Sequence, residues 1–138
     1  ALSRCQLMEQ QAGNASPISE IPVLNPDALE NLRKAAVKDP NSLLRQLIDG
    51  YLEDAPKLMQ NIREAIEQVN PPKLDLAAHT LKSMSDTFGA TTFAQLCKKL
   101  ELMGESGAIA LEPDQLTQLE AQYQQVVAAL ELERQKLR

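Results

Sequence analysis

The chain contains a single histidine, His79, and the residues beside it could support phosphoryl chemistry. An imidazole can be neutral near physiological pH and can attack an electrophile such as a phosphoryl group. Lys82, one helical turn further on, could offer a positive charge to a phosphoryl oxygen. Ser83 is small and would leave the ring accessible to a docking surface. These residue types are compatible with a phosphoryl acceptor if the histidine is exposed.

The sequence around His79 predicts an amphipathic helix with the histidine on its polar side. At about 100° per residue, the apolar side chains fall within one arc roughly opposite His79. That arc contains Leu74, Ala77, Ala78, Leu81, Met84 and Phe88. Asp75, Lys82, Ser83 and Asp86 share the side of the histidine instead. The imidazole is therefore expected at the surface, with the core behind it.

The helical pattern alone leaves two interpretations of His79 open. A solvated surface histidine is common and needs no partner. The functional interpretation is a nucleophile or a ligand that is presented to another molecule. A histidine in the core is disfavoured, because the apolar arc is complete without it.

A longer pattern distinguishes between these interpretations. The chain reads His79-Thr80-Leu81-Lys82, then Ser85, Gly89-Ala90, Cys97 and Leu100-Glu101. This pattern resembles the histidine-containing phosphotransfer (HPt) domain, whose motif is roughly H-x-L-K-G-S-S-x-x-x-G-A, with C-x-x-L-E on the next helix. The resemblance covers most of residues 26–130 and includes the upstream stretch from Tyr51 to Pro56.

Two positions depart from that motif. Ser83 stands where the family usually has glycine, and Met84 stands where it usually has serine. Met84 lies at the edge of the apolar arc, so we expect it to pack against the core. Asp86 adds a negative charge two turns beyond His79 on the same side. These differences bear on the rate of transfer and on the choice of partner.

The resemblance implies roles for five residues. His79 is the expected phosphoacceptor, assisted by Lys82. Glu101 matches a position where an acid or amide can hydrogen-bond the other ring nitrogen and fix the tautomer. Lys98 would stabilise a phosphoryl group, and Ser83 would lie under the docking partner. Without the resemblance, Lys98 and Glu101 at helical spacing would be interpreted as a solvated face.

The function implied by the resemblance is that of a phosphorelay intermediate. A receiver domain or a sensor histidine kinase would phosphorylate His79, and the receiver would supply Mg²⁺. The chain itself is expected to need no cofactor and no metal, and it shows no glycine-rich nucleotide loop. We expect a monomer without its own ATP site, either independent or part of a hybrid kinase.

Two other functions use the same residues differently. A helical adaptor could retain the fold and use this face only for docking. A bundle could use His79 as a single haem or metal ligand, although bundle cofactors are held in the core, away from the expected position of His79. One histidine with Cys5 and Cys97 does not have zinc-ligand spacing, and both thiols are expected to be reduced.

Composition excludes several classes of protein. The formal net charge of −5 and the absence of a basic block argue against nucleic acid or an anionic membrane as the main partner. No apolar run is long enough to span a bilayer. The hydrophobic fraction of 43% with 3% aromatic residues favours aliphatic helix packing in one domain. A cytoplasmic location is expected.

Prolines and capping residues predict the first helices. Residues 1–24 are expected to be a flexible tail or linker, and residues 25–138 the HPt domain. Asn25-Pro26-Asp27 starts a short helix that ends near Val37. Asn41 or Ser42 is expected to cap a long helix, which Pro56 bends without ending. Its apolar face should comprise Leu43, Leu44, Leu47, Ile48, Tyr51, Leu52, Leu58, Met59, Ile62, Ile66 and Val69.

Three further helices complete the expected fold. The turn at residues 70–72 leads into the His79 helix, which should stop at Gly89. Thr91 or Thr92 opens the next, residues 104–107 break the chain, and Pro113-Asp114 opens the last. Residues 131–138 are expected to project or fray. The whole should be all-α, an up-down-up-down antiparallel four-helix bundle with the short first helix packed at one end.

Overall fold

Proline residues and capping side chains start the first three helices of this protein. The computed structural model describes residues 23–36 and 38–137, which contain five helices and no strand. The helices are α1 (Pro26–Ala35), α2 (Pro40–Glu67), α3 (Pro71–Thr87), α4 (Thr91–Ser106) and α5 (Gln115–Lys136). The predicted tail lies outside the described residues except for positions 23 and 24, and Leu24 is buried in the core.

The predicted cap agrees with the structure at α1 but not at α2. Asn25 accepts a hydrogen bond from the amide of Asp27, as predicted for the start of α1. The prediction that Asn41 or Ser42 caps α2 was wrong, because the carboxylate of Asp39 accepts the bond from the amide of Ser42. Proline lacks an N–H and is tolerated in the first helical turn, so Pro40 belongs inside the helix and the cap moves to the residue before it.

Helices α2 to α5 form the antiparallel bundle, and α1 packs against α2. α3 packs most extensively against α4, while α5 closes the bundle against α2 and α4. α2 continues through Pro56, as expected. The predicted all-α bundle with a short first helix is confirmed.

The core is aliphatic, with aromatic side chains at a few positions. Its largest fully buried members are Leu44, Ile48, Tyr51, Met59, Ile62, Leu74, Leu81, Phe93, Leu100, Leu119, Val126 and Leu130. Val69 was wrongly predicted to belong to this face, since it lies in the turn after α2 with φ 50° and 69% exposure. The helix α2 ends at Glu67, although the apolar pattern in the sequence continues to Val69. Met84 is half-buried and packs against the core, as expected.

Two glycines have structural roles that the sequence indicated only in part. Gly89 follows α3 with φ +70°, and a Cβ there would lie 2.3 Å from the Cβ of Asn25. The break predicted at residues 104–107 occurs at the last of them, because α4 continues through Gly104 to Ser106 and the left-handed residue is Gly107. A Cβ on Gly104 would lie 2.6 Å from the amide nitrogen of Asp75, so this glycine allows α4 to approach α3 closely.

The C-terminal segment packs rather than projects. α5 continues to Lys136, Leu137 is buried, and the guanidinium of Arg134 donates to the carboxylate of Asp49 in α2. The predicted fraying of residues 131–138 was therefore wrong up to residue 137; residue 138 lies outside the described residues.

Among the described residues, no helix combines the length and the apolar character that crossing a membrane requires.

Candidate functional site

The candidate site lies where α3 and α4 pack together, and its centre is a hydrogen bond between His79 and Glu101. The ring nitrogen Nδ1 of His79 lies 2.6 Å from Oε2 of Glu101. The histidine side chain is 57% exposed, whereas the glutamate side chain is only 11% exposed. An ionised carboxylate can only accept hydrogen bonds, so Nδ1 carries a proton. In the neutral ring, the lone pair is then on Nε2.

Glu101 is held in place by the inner face of α4. It follows the buried residues Cys97 and Leu100 along that face, and Gly104 comes one turn later. The close approach at Gly104 places the start of α3 directly against the end of α4. The hydrogen bond to Nδ1 shows that Glu101 is level with His79. Because the two helices are antiparallel, each later turn of α4 meets an earlier turn of α3.

Lys82 lies on the side of His79, as predicted, but its ammonium group has another partner. Its Nζ lies 3.5 Å from Oδ2 of Asp86, four residues further along α3. The lysine side chain is 26% exposed and the aspartate side chain 52%. The structure therefore places the lysine near the histidine and directs its charge toward Asp86.

Ser83 and Lys98 are both exposed. Lys98 forms no ion pair within the part of the chain that the structure describes. Three residues correspond to about 4.5 Å along a helix, so Lys98 is nearly level with Lys82 when Glu101 is level with His79. The five residues selected from the sequence thus lie within about one helical turn of the His79–Glu101 bond, near the middle of α3.

Ser85 has a role that sequence reasoning missed, although the motif includes it. It is fully buried, and its hydroxyl donates to the carbonyl of Leu81 at 2.8 Å. The hydroxyl of Tyr51 lies 2.9 Å from the same oxygen. Burial raises the pKa of Tyr51, so its hydroxyl stays protonated and can donate to Ser85. This bond ties α2 to α3 behind the histidine.

Acidic side chains from both helices meet on the other side of His79. Asp75, Glu101 and Glu105 have carboxylate oxygens within 4.8 Å of one another. Asp75 precedes His79 by one turn, whereas Lys82 follows it by one turn. The charge around the imidazole therefore changes sign along α3, and an anion is favoured toward Lys82 and Lys98. No sequence pattern could identify this group, because its members come from two helices.

Comparison with known proteins identifies the family. Residues 46–129, which are more than half of the chain, match the family model of the Hpt domain. The chain belongs to the Hpt domain family. Among solved structures, it is similar to histidine-containing phosphotransfer protein B (HptB) from Pseudomonas aeruginosa PAO1, with a TM-score of 0.73 and 25% sequence identity. The match covers 85% of this chain and 98% of the HptB chain. No curated protein matches significantly.

Membership of the Hpt family gives the general function. Hpt domains are phosphotransfer modules of two-component phosphorelays, and they interact with receiver domains and kinases. They are not kinases with an ATP site of their own. The resemblance identified from His79 to Glu101 is confirmed at the level of the family and the fold.

Proposed function

We propose that this Hpt domain accepts a phosphoryl group on Nε2 of His79 and exchanges it with the aspartate of a response-regulator receiver domain. The observation that carries this proposal is the pairing of an exposed imidazole with a nearly buried carboxylate. Glu101 holds Nδ1 and thereby keeps the ring in the tautomer whose Nε2 can attack.

The transfer uses the lone pair of Nε2 and needs no redox partner. As the N–P bond forms, the P–O bond of the receiver's aspartyl phosphate breaks, and its electron pair stays on the receiver carboxylate. The proton on Nδ1 stays on the ring and remains hydrogen-bonded to Glu101. The negative charge of the Glu101 carboxylate offsets the positive charge that the ring acquires. Lys82 and Lys98 neutralise phosphoryl oxygens during the step. The reverse reaction returns the group to a receiver.

The partner must complete the site. His79 lies on a convex helical surface, so it cannot exclude water from the reaction by itself. We infer that the receiver covers the surface around Ser83 and supplies the Mg²⁺ on which its own aspartate chemistry depends. In this proposal the Hpt domain acts as a monomer, needs no cofactor of its own, and functions in the cytoplasm.

Phosphorylation of the purified chain tests the proposal. Phosphoramidate is a small donor that transfers its phosphoryl group to an imidazole and releases ammonia. It should label wild type with acid-labile phosphate and leave His79→Gln unlabelled, with both proteins equally helical by circular dichroism. Receiver domains from the same genome should then remove the label. Equal labelling of the two proteins would refute the assignment of His79.

Labelling that no receiver removes would favour a different function. In that case, the chain would be an adaptor that retains the fold and uses the same face only for docking. Binding of a receiver without any exchange of phosphate is the observation that separates the adaptor from the phosphorelay intermediate.

A further inference from the structure

We propose that Asp86 limits the rate at which His79 gains a phosphoryl group by holding the Lys82 ammonium away from it; this inference rests on the proposed function of His79. Asp86 is a positioning residue in this account, since it acts through Lys82 and does not touch the reacting atoms.

The geometry of α3 gives the Lys82 ammonium group two possible partners, a phosphoryl group on His79 or the carboxylate of Asp86. Lys82 follows His79 by three residues and precedes Asp86 by four, so one ammonium group lies between the acceptor and the acid. Its Nζ lies 3.5 Å from Oδ2 of Asp86. Asp86 is about 10 Å beyond His79 along the helix axis. A lysine that is bonded to Asp86 therefore extends toward the end of α3 and away from the imidazole.

The pairing with Asp86 is weak enough for a phosphoryl group to displace it. Helical side chains lean toward the N-terminus, which for Lys82 is the direction of His79. A lysine that precedes its acid at this spacing has the less favourable orientation. More than half of the Asp86 side chain is exposed, at 52%, so solvent screens the pair further. A phosphoryl dianion at Nε2 offers the lysine a stronger partner.

The charges of Lys82 and Asp86 both influence the Cys97 thiol of α4. Burial raises the pKa of the Cys97 thiol to about 12, with a smaller rise from Asp86 and a lowering effect of Lys82. Cys97 lies one turn before Glu101, so this end of α3 faces the turn of α4 that also carries Lys98. Lys98 is a second cation on this turn of α4, so the test must separate its effect from that of Lys82.

A direct effect of Asp86 on the phosphoryl group is small at physiological salt. The two groups are separated by about the Debye length at that ionic strength, so their repulsion through solvent is largely screened. The influence of Asp86 on His79 is therefore expected to pass through Lys82. That expectation can be tested with pairs of substitutions.

The test measures the initial rate of phosphorylation by phosphoramidate, which requires no docking partner. Asp86→Asn should raise the rate about twofold, the worth of one exposed ion pair at this spacing. Asp86→Glu keeps the acid and should retain the wild-type rate. Glu131→Gln makes the same charge change at an exposed position of α5 and should also leave the rate unchanged.

Double substitutions show whether the effect of Asp86 on His79 passes through Lys82. In a Lys82→Ala background, Asp86→Asn should have no effect, whereas in a Lys98→Ala background it should retain its twofold gain. An equal gain with and without Lys82 would overturn the proposal, because Asp86 would then act directly on the donor. An unchanged rate in Asp86→Asn would also overturn it while leaving the phosphoacceptor assignment intact. If wild type takes up no label at His79, the proposed function and this inference both fail.

Discussion

At the scale of single residues, two members of the motif have different roles: His79 is accessible to a partner, and Glu101 fixes its orientation. His79 is more than half exposed, and Glu101 is nearly buried at 11% side-chain exposure, yet the two are bonded at 2.6 Å. A buried carboxylate has few ways to move, so it fixes the ring that it holds. The nucleophile can therefore be accessible without being free to rotate.

Loss of the Glu101 carboxylate should slow phosphorylation of His79. We expect Glu101→Ala to reduce the rate with phosphoramidate about tenfold, near the lower end of what a hydrogen bond to a charged group contributes. Glu101→Gln keeps an oxygen that can accept from Nδ1 and should retain more of the rate. NMR of the ring nitrogens should show Nδ1 protonated in wild type and a mixture of tautomers in Glu101→Ala. A single tautomer in both proteins would contradict this role.

At the scale of elements, the contact between α3 and α4 sets the register of the site. Gly104 permits the contact, because any side chain there would meet the backbone of α3. Behind the histidine, Tyr51 and Ser85 attach α3 to α2. The His79 helix is thus fixed on two sides, and its outer face remains open to a partner.

A methyl group at Gly104 should separate these helices. Gly104→Ala places its Cβ 2.6 Å from the amide nitrogen of Asp75, which is backbone and cannot rotate away. We expect unfolding free energy to fall by about 1–3 kcal/mol, as for other overpacked sites, and phosphorylation of His79 to slow. Gly50→Ala is the matched control. It meets nothing within 4 Å in an exposed turn of α2, and it should stabilise the protein by about 0.5–1 kcal/mol. Equal stability of the two variants would contradict the close contact.

The buried thiol of α4 should make stability depend on alkaline pH. Burial raises the pKa of Cys97 from 9.0 to about 12. Above pH 9 the unfolded chain loses the thiol proton and the folded chain keeps it, so the unfolded state binds fewer protons and stability falls as pH rises. The loss should run from pH 9 until the pH passes the folded value of about 12. Urea unfolding of Cys97→Ala, which is less stable at neutral pH, should show a shallower decline between pH 9 and 10.

At the scale of the whole molecule, the bundle supports the exposed face that carries His79. α5 closes the bundle as far as Leu137, and Arg134 joins its end to α2. Around His79, the outer side of α3 carries the exposed residues Leu76 and Ser83. A partner that covers the histidine must therefore also cover these side chains.

A large side chain at position 83 should block a receiver and spare a small donor. Ser83 is exposed one turn from His79, so Ser83→Arg should leave stability within about 0.5 kcal/mol of wild type. Transfer from a receiver should fall severely, while labelling by phosphoramidate should change little. Ser83→Gly should be tolerated at a helix-propensity cost of about 0.5 kcal/mol. Receiver-dependent transfer at the wild-type rate in Ser83→Arg would place the docking surface elsewhere.

Local chemistry was enough to predict much of this protein. Helical periodicity identified the five helices and the outward position of His79, because both depend on residues close together in the sequence. The resemblance from His79 to Glu101 gave the family. Where local rules compete, the sequence misled: Pro40 moved the cap of α2 to Asp39.

Only the tertiary structure decided the features that join separate helices. The acids at Asp75 and Glu105 and the partner of Ser85 each require a known distance between two elements. The resemblance implied a bond between His79 and Glu101, and the structure gives the atoms and the distance. Packing against α2 likewise keeps the charged end of α5 folded. Periodicity specifies which way a side chain faces, but the level at which two helices meet is set by close contacts such as the one at Gly104. That level determines which outward-facing residues become a site.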